Sequence, residues 1–154
     1  MKEIKLSQDK VALVDDSDYE SVSAHQWSFG VKKYAVRVSK KSAILMHRQI
    51  MGDPPFPKAQ IDHINLNGLD NRRSNLRWVT KSQNMMNCPK RKAGANKFKG
   101  VYCYKNRNKK WAAYIKLDYK RKSLGYFYTE IEAAEAYNKA ALKYFGDFAR
   151  INEI

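Results

Sequence analysis

An acidic residue and a histidine stand side by side near the middle of the sequence, at Asp62 and His63, and Asn84 follows on the same segment. A carboxylate and an amide offer oxygen ligands to a hard divalent cation such as Mg²⁺. A histidine beside them can take a proton from water, which contributes roughly 10²–10⁴-fold to a reaction rate. A metal ion near a phosphodiester stabilises the alkoxide that leaves. These residue types together make a minimal nuclease site.

Turn and capping signals predict a hairpin and then a helix around these residues. Gln60–His63 and Leu76–Val79 suit two strands, and the residues between them are rich in Gly, Asn and Asp. Thr80 and Gln83 form a capping box, which predicts a helix that begins at Lys81. This arrangement brings the end of the first strand against the first turn of the helix, so that the three chemical groups can converge.

The segment resembles the HNH endonucleases, in particular those of the phage and intron homing type. The matching motifs, in chain order, are Leu45-Met46-His47-Arg48, Ile61-Asp62-His63, Asn75-Leu76-Arg77-Trp78 and Ser82-Gln83-Asn84. The resemblance covers about residues 8–88. An isolated Asp-His pair is typical of a solvated turn, and it is the ordered set of motifs that favours the nuclease interpretation.

The resemblance also implies a role for each residue. His63 is then the general base, and Asp62 and Asn84 hold one divalent ion per site, Mg²⁺ or Mn²⁺. Asn75 completes the catalytic set by pinning the loop through hydrogen bonds to its backbone.

A short helix is predicted at His47–Met51, because Gly52 and several prolines follow it. In the resembling family this helix supports the hairpin, which would place His47 behind the site and Arg48 within reach of a phosphate. Their residue types alone suit a structural role equally well.

Strand patterns at Lys10–Val14, Tyr34–Val38 and Ala43–Met46 predict a small β region over residues 1–46, with the last two strands forming a hairpin. The acidic cluster at Asp15–Asp18 lacks the glycine and the late glutamate of a calcium loop, so we interpret it as a solvated turn. Packing rather than ligand contact is predicted for the aromatic side chains here, namely Trp27, Phe29 and Tyr34.

Beyond a basic segment at residues 89–96 the pattern becomes that of a sheet. Phe98–Tyr104, Lys110–Leu117 and Lys120–Tyr128 are strand-like runs separated by polar turns, and Gly125 predicts a bulge in the last of them. We expect an antiparallel sheet with one face covered and the other open and rich in Tyr, Lys and Arg.

The covering element is predicted to be a single helix. Thr129 and Glu132 form a capping box, and Gly146 predicts the end of the helix. Small and apolar residues recur at helical period and predict the face that lies on the sheet: Ala133, Ala136, Tyr137, Ala140, Ala141 and Tyr144.

Residues 97–154 resemble the ethylene-response-factor (Apetala-type) DNA-binding domain. The matching motifs are Lys99-Gly100-Val101, Trp111–Ile115, Leu124–Phe127 and Glu132–Asn138. The resemblance implies that the open sheet face lies in the DNA major groove, which can admit a β structure. The implied contact residues are Lys99, Tyr102, Tyr104, Tyr114, Lys116, Arg121 and Ser123. Several of these positions hold other residue types in the plant regulators, so the base sequence that those regulators recognise is not implied.

The charge distribution supports a nucleic-acid partner. The net charge is +15, and such a chain binds polyanions. Residues 88–154 carry 16 Lys and Arg against 6 Asp and Glu, whereas residues 1–46 carry 8 against 6. No apolar run approaches the about 20 residues of a membrane span, and Met1–Lys5 shows no signal-peptide pattern. These features predict a cytoplasmic protein without a membrane partner, and the resemblance to the phage and intron enzymes implies a bacterial or phage-infected cell.

The sequence therefore predicts an α+β protein. It comprises an HNH (ββα-metal) nuclease domain at 1–88, a basic linker at 89–96, and a DNA-binding domain at 97–154 with a three-stranded antiparallel sheet packed on one helix. The predicted function is that of a metal-dependent, homing-type endonuclease acting on double-stranded DNA, which nicks as a monomer or cuts both strands as a weak dimer. The alternatives are a transcriptional regulator with a merely structural nuclease unit and an RNA-binding or RNA-processing protein.

Overall fold

The computed structural model describes residues 1–39, 42–90, 96–106 and 108–154. The chain divides into two compact units, Met1–Asn84 and Met85–Ile154. Most of the predicted linker at 89–96 lies outside the described residues, and the domain bounds 1–88 and 97–154 stay a prediction. Within the part of the chain that is described, no helix has the length and apolar character needed to cross a membrane.

The first unit contains short antiparallel sheets and short helices. Its strands are β1 (Lys2–Lys5), β2 (Val11–Val14), β3 (Ser28–Phe29), β4 (Ala35–Ser39), β5 (Ser42–Leu45), β6 (Gln60–His63) and β7 (Leu76–Val79). The pairings are β1 with β2, β4 with both β3 and β5, and β6 with β7. The helices are α1 (Asp16–Ser23), α2 (Met46–Met51) and α3 (Lys81–Asn87), the last of which crosses from the first unit into the second.

The elements predicted around the chemical residues are confirmed. The strands β6 and β7 have the predicted bounds, and α3 begins at Lys81 behind a capping box. In that box the Gln83 backbone N–H donates to the Thr80 hydroxyl at 3.2 Å, and the Thr80 N–H donates to the Gln83 side-chain oxygen at 2.8 Å. The predicted pairing of β4 with β5 is also present.

A hydrophobic core joins the N-terminal strands to the hairpin. Val14, Val22 and Met46 are fully buried there, and Leu76 of β7 packs into the same cluster. The strand β2 also binds the loop between β6 and β7, because Leu13 donates to Leu69 O and accepts from Asn71 N, both at 2.8 Å. The loop is therefore fixed at its middle as well as at its two ends.

The interpretation of Asp15–Asp18 as a solvated turn is wrong. Asp16 and Asp18 lie in the first turn of α1, where negative side chains interact favourably with the helix dipole. Asp18 is buried, and both of its carboxylate oxygens accept hydrogen bonds at 2.8 Å from the Arg73 guanidinium. Asp15 accepts the Arg73 backbone N–H at 2.7 Å. The acidic cluster is thus a brace for the segment that precedes β7.

The second unit is a three-stranded antiparallel sheet with one long helix, as predicted. The strands β8 (Val101–Cys103), β9 (Trp111–Leu117) and β10 (Lys120–Phe127) lie in the order β10-β9-β8, and α4 spans Glu130–Phe145. The register shifts between Ser123 and Gly125, which confirms the bulge. The capping box of Thr129 and Glu132 is present. Pairing in β8 begins later than predicted, just after Gly100, whose φ of 76° breaks the extended conformation.

The helix face that covers the sheet is mostly as predicted, with Tyr144 as the exception. Tyr144 is 39% exposed, and its hydroxyl accepts a hydrogen bond at 2.8 Å from Lys122. Ala134 and Phe145, which were not predicted, are buried instead, and they pack in the clusters that join the helix to the sheet. Trp111 and Ile115 of β9 pack against this face.

Candidate active site

The hairpin places Asp62 and His63 among different partners. Both residues are buried, with 4% and 6% of their surface exposed. Asp62 lies opposite Arg77 in the β6–β7 register. Because successive side chains of a strand point to opposite faces, Asp62 shares its face with Arg77 and Gln60, and His63 leaves β6 on the other side.

The face of β6 that carries Asp62 holds the oxygen atoms that could bind a metal ion. The Arg77 Nε and Nη2 atoms donate to Asp62 Oδ2 at 2.9 and 2.8 Å. On the same face the Asn84 side-chain N–H donates to Gln60 Oε1 at 2.8 Å, which ties α3 to β6. The structure thus brings Asn84 to the strand of Asp62, as predicted, and adds Arg77 as a counter-charge that the prediction did not include.

His63 lies in a cluster of rings on the other side of the hairpin. Its Nε2 atom is 3.3 Å from Asn71 Oδ1. The Tyr34 ring stacks on it at 5.5 Å between centroids, and the His47 ring meets it edge-on at 5.0 Å. Burial lowers the pKa of His63 below 6.5, although Asn71 and the nearby aspartates oppose the shift. A neutral imidazole at pH 7 is able to accept a proton.

The His47 ring packs edge-on against the His63 ring, and its role as a support of the site stays a prediction. It is 6% exposed, and burial lowers its pKa to about 4, so its ring is neutral. Its Nδ1 atom has no hydrogen-bond partner among the described residues. Tyr34 touches the same ring at 5.1 Å, so this aromatic residue packs within the site rather than in a distant core.

Arg48 is exposed at the edge of a small cavity beside the hairpin. The cavity has a volume of about 160 Å³, and Gln60, Ile61 and Trp78 form part of its wall. The Arg48 side chain is therefore accessible to solvent, and its contact with a phosphate stays a prediction.

Asn75 holds the loop as the resemblance implied. Its Oδ1 atom accepts the Asn65 backbone N–H at 3.0 Å, and its Nδ2 atom donates to Asn65 Oδ1 at 3.0 Å and to Asp70 O at 2.8 Å. One buried side chain therefore fixes the loop near its start and near its end. Asp70 adds an ion pair with Arg72 at 2.6 Å, and this guanidinium lowers the pKa of the Asp70 carboxyl.

The donor set fits a cation that prefers oxygen ligands and keeps several waters. The described residues contain no group of three or more His, Cys, Asp and Glu side chains that could enclose a metal ion. Mg²⁺ does not require such a group, because one or two carboxylates together with waters and substrate phosphates suffice. Asp62 of β6 offers a carboxylate, and Asn84 of α3, which is hydrogen-bonded to Gln60 of the same strand, offers an amide oxygen; both are ligand types that suit Mg²⁺.

The uncovered sheet face of the second unit carries most of the predicted DNA contacts. Arg121 lies over the rings of Tyr102 and Tyr114, at 4.1 and 3.8 Å from their centroids. The Tyr114 hydroxyl is within 3.5 Å of that of Tyr104 and 3.3 Å of that of Tyr126. Pairing in the sheet puts the remaining predicted residues, Lys116 and Ser123, on the same face.

Lys99 has hydrogen-bond partners of its own. Its ammonium donates to Met86 O at 2.7 Å and to Cys88 O at 2.6 Å, and the residue lines one cavity together with Tyr102 and another together with Arg150. The resemblance predicted Lys99 as a DNA contact from its position next to Gly100. It did not predict the two carbonyl groups that accept hydrogen bonds from the Lys99 side chain.

Sequence reasoning missed several residues that complete these surfaces. Arg77 was detectable, since counting the hairpin register from the predicted strands sets it opposite Asp62. Tyr126 was also detectable by alternation, once the bulge at Gly125 is taken into account. Asn71 and Tyr34 had no local signal, because an Asn-rich loop and a strand aromatic suit ordinary turns and packing.

Comparisons with known proteins identify the family of the chain. The family model described as HNH endonuclease matches residues 44–86, which include α2, the hairpin and most of α3. An uncharacterized HNH endonuclease of Acanthamoeba polyphaga mimivirus is 33% identical over 150 residues, a match that covers 93% of this chain and 75% of that protein. No solved structure matches significantly. The chain therefore belongs to the HNH endonuclease family and is a DNA-cleaving hydrolase.

Proposed function

We propose that the protein is a divalent-metal-dependent, homing-type DNA endonuclease that nicks duplex DNA and is targeted by its second unit. The observation that carries the proposal is the hairpin with its helix, where β6 carries the buried Asp62 carboxylate and the buried, neutral His63 imidazole side by side, and Asn84 of α3 is hydrogen-bonded to Gln60 of the same strand. HNH nucleases generally depend on divalent metal ions. Beyond the family, the proposal assigns a requirement for a divalent metal ion, a role for each site residue, and recognition of the target DNA by the second unit.

In the proposed mechanism His63 accepts a proton from the attacking water, since burial keeps its imidazole neutral. Asp62 and Asn84 would hold Mg²⁺ or Mn²⁺, which supplies positive charge for the leaving alkoxide when bound. Arg77 neutralises Asp62 in the protein alone. Asn75 keeps the loop in the conformation that orients His63, and Tyr34 and His47 limit rotation of its ring.

The second unit would recognise the target through its uncovered sheet face. Four exposed or half-exposed tyrosines and Arg121 form a continuous surface there, and the unit carries most of the positive charge. We propose that the unit is an ethylene-response-factor-like domain and that this surface enters the major groove. Lys116 and Ser123 extend the surface, and Lys99 lines a cavity that Tyr102 also lines.

The test of the proposed function is conversion of supercoiled plasmid to open circles. We expect the purified protein to nick with Mg²⁺ or Mn²⁺ and to leave 5′-phosphate and 3′-hydroxyl ends, as measured by gel electrophoresis and end labelling. EDTA should abolish the reaction, because the metal ligands then have no ion to hold. Failure of the protein to cut any DNA, with binding intact, would favour the transcriptional regulator instead.

Arg121→Ala should weaken binding of the full-length protein to duplex DNA. If Arg121 contacts a base edge, the loss is roughly 1–3 kcal/mol, with relaxed preference at one position. If it contacts a phosphate, the slope of log affinity against log salt falls by about 0.9. Fluorescence anisotropy over a salt series separates these two cases.

Lys120→Ala is the matched control, since it removes the same charge from the adjacent position of β10, whose side chain alternates to the other face. Equal effects of Arg121→Ala and Lys120→Ala on DNA affinity would show that the uncovered sheet face, called the tyrosine-lined face below, is not the DNA interface.

A further inference from the structure

A second cluster of basic residues lies in the second unit, around the segment that precedes β8 and the C-terminal segment. A cavity of about 190 Å³ is lined by Lys90, Lys97, Lys99 and Arg150, with Asn152 and Glu153 beside them. Of these residues, Lys99 was predicted as a DNA contact and Lys90 as part of a linker that follows the DNA backbone, whereas Arg150 was not predicted to bind DNA. The cavity is several times larger than the about 30 Å³ that one water occupies in the liquid.

The cavity wall is fixed by hydrogen bonds. Asn152 Oδ1 accepts the Lys99 backbone N–H at 2.7 Å, and its Nδ2 atom donates to Lys99 O at 3.1 Å. The Asn138 side chain binds both backbone groups of Asn152, at 2.9 and 2.7 Å. The C-terminal segment that carries Arg150 is therefore held against the segment that precedes β8, and the Lys99 ammonium is fixed by its two carbonyl partners.

The positive charges at this cavity exceed the negative ones. Glu153 supplies the one carboxylate among the described lining residues. Its side chain is 95% exposed and lies 3.8 Å from the Arg150 guanidinium. Lys99 is held by neutral carbonyl groups, and burial, with a smaller effect of Arg150, lowers its pKa to about 8. The Lys97 ammonium lies 5.1 Å over the Phe98 ring, which does not neutralise it.

We propose that this cavity binds a phosphate group. A guanidinium can bind two phosphate oxygens at once, and lysine ammonium groups bind phosphate as point charges. Gathering like charges in a partly buried place is unfavourable, and an anion removes that cost. If the phosphate is one of the DNA backbone, the proposal rests on the proposed function, and the cavity adds a phosphate contact to the tyrosine-lined face. A free phosphate ion has the same chemistry.

The first experiment measures duplex DNA binding by the full-length protein in EDTA, so that cleavage plays no part. Lys97→Gln with Arg150→Gln should reduce the slope of log affinity against log salt by about 0.9, the value for one phosphate contact. The matched control is Lys139→Gln with Lys143→Gln, which removes the same charge from exposed positions of α4. The control should retain most of the slope.

Glu153→Gln tests the same charge balance in the opposite direction. Its side chain is almost fully exposed, so the fold should tolerate the change, and the affinity for DNA should rise by about twofold, the scale of an exposed ion pair. An inorganic phosphate titration monitored by calorimetry distinguishes the source of the ligand. A free phosphate site would show heat that the Lys97→Gln, Arg150→Gln protein lacks, with an unchanged DNA salt slope.

The proposal is overturned if the cavity variants match the control in both the DNA salt slope and the phosphate titration. A protein that binds DNA through this cavity but fails to nick plasmid would refute the proposed function and leave the phosphate site standing.

Discussion

Replacing His63 by alanine is expected to lower plasmid nicking by about 10²–10⁴-fold, the usual contribution of a positioned general base. The expectation follows from its position: the imidazole is buried, kept neutral by burial, and within 3.3 Å of Asn71 Oδ1. Affinity for DNA should change little, because the second unit is the proposed binding unit. The measurement is the initial rate of open-circle formation, with anisotropy as the binding control.

His25→Ala is the matched control for this experiment. His25 is an exposed histidine of the same unit, so the variant reports any general effect of removing an imidazole. Circular dichroism checks that the His63→Ala protein is folded. If that protein is folded and cuts as fast as the wild type, the general base is another residue or the activity is a contaminant.

Asn75→Ala is expected to lower both stability and activity, and to leave the metal requirement unchanged. The Asn75 side chain makes three hydrogen bonds that join Asn65 and Asp70, and it is 7% exposed. Leaving such buried groups without partners costs roughly 1–3 kcal/mol. Urea denaturation would show the loss in the free energy of unfolding, and a plasmid assay would show slower nicking as the loop loosens around His63.

The contrast with Asn84→Ala separates loop support from metal binding. Asn84 is a proposed ligand, so its removal should raise the Mg²⁺ concentration for half-maximal nicking with a smaller effect on unfolding. An equal shift of the Mg²⁺ requirement in Asn75→Ala would show that the two asparagines have been assigned the wrong roles.

The parts of this protein that follow from local signals were predictable from its sequence. The capping box of Thr80 and Gln83 fixed the start of α3, and turn-forming residues fixed the hairpin ends. Gly125 marked a bulge because a glycine between apolar residues interrupts strand alternation. Asp62, His63 and Asn84 lie within 23 consecutive residues, on the hairpin and the helix that follows it. Local signals for these elements therefore sufficed to predict the candidate site.

The remaining features depend on contacts between distant parts of the chain. Asp15–Asp18 has the composition of a turn, and only the pairing of Asp18 with Arg73 explains why the segment is helical and partly buried. The stacking of Tyr34 on His63 is likewise a contact between residues that are distant in the sequence, so no local pattern predicts it. Such contacts are set by the packing of whole elements, for which one sequence offers no local pattern.

The brace between Asp18 and Arg73 also has a consequence for the order in which the first unit folds. The two residues are 55 positions apart, whereas the β6–β7 hairpin closes within residues 60–79. Hairpins form in about 1–10 μs, and contacts that close longer loops must overcome a larger loss of chain entropy. We therefore expect the hairpin that carries Asp62 and His63 to form before the contact between Asp18 and Arg73 that holds it against α1. During folding, the two neighbouring catalytic candidates would be in their strand before the brace is complete.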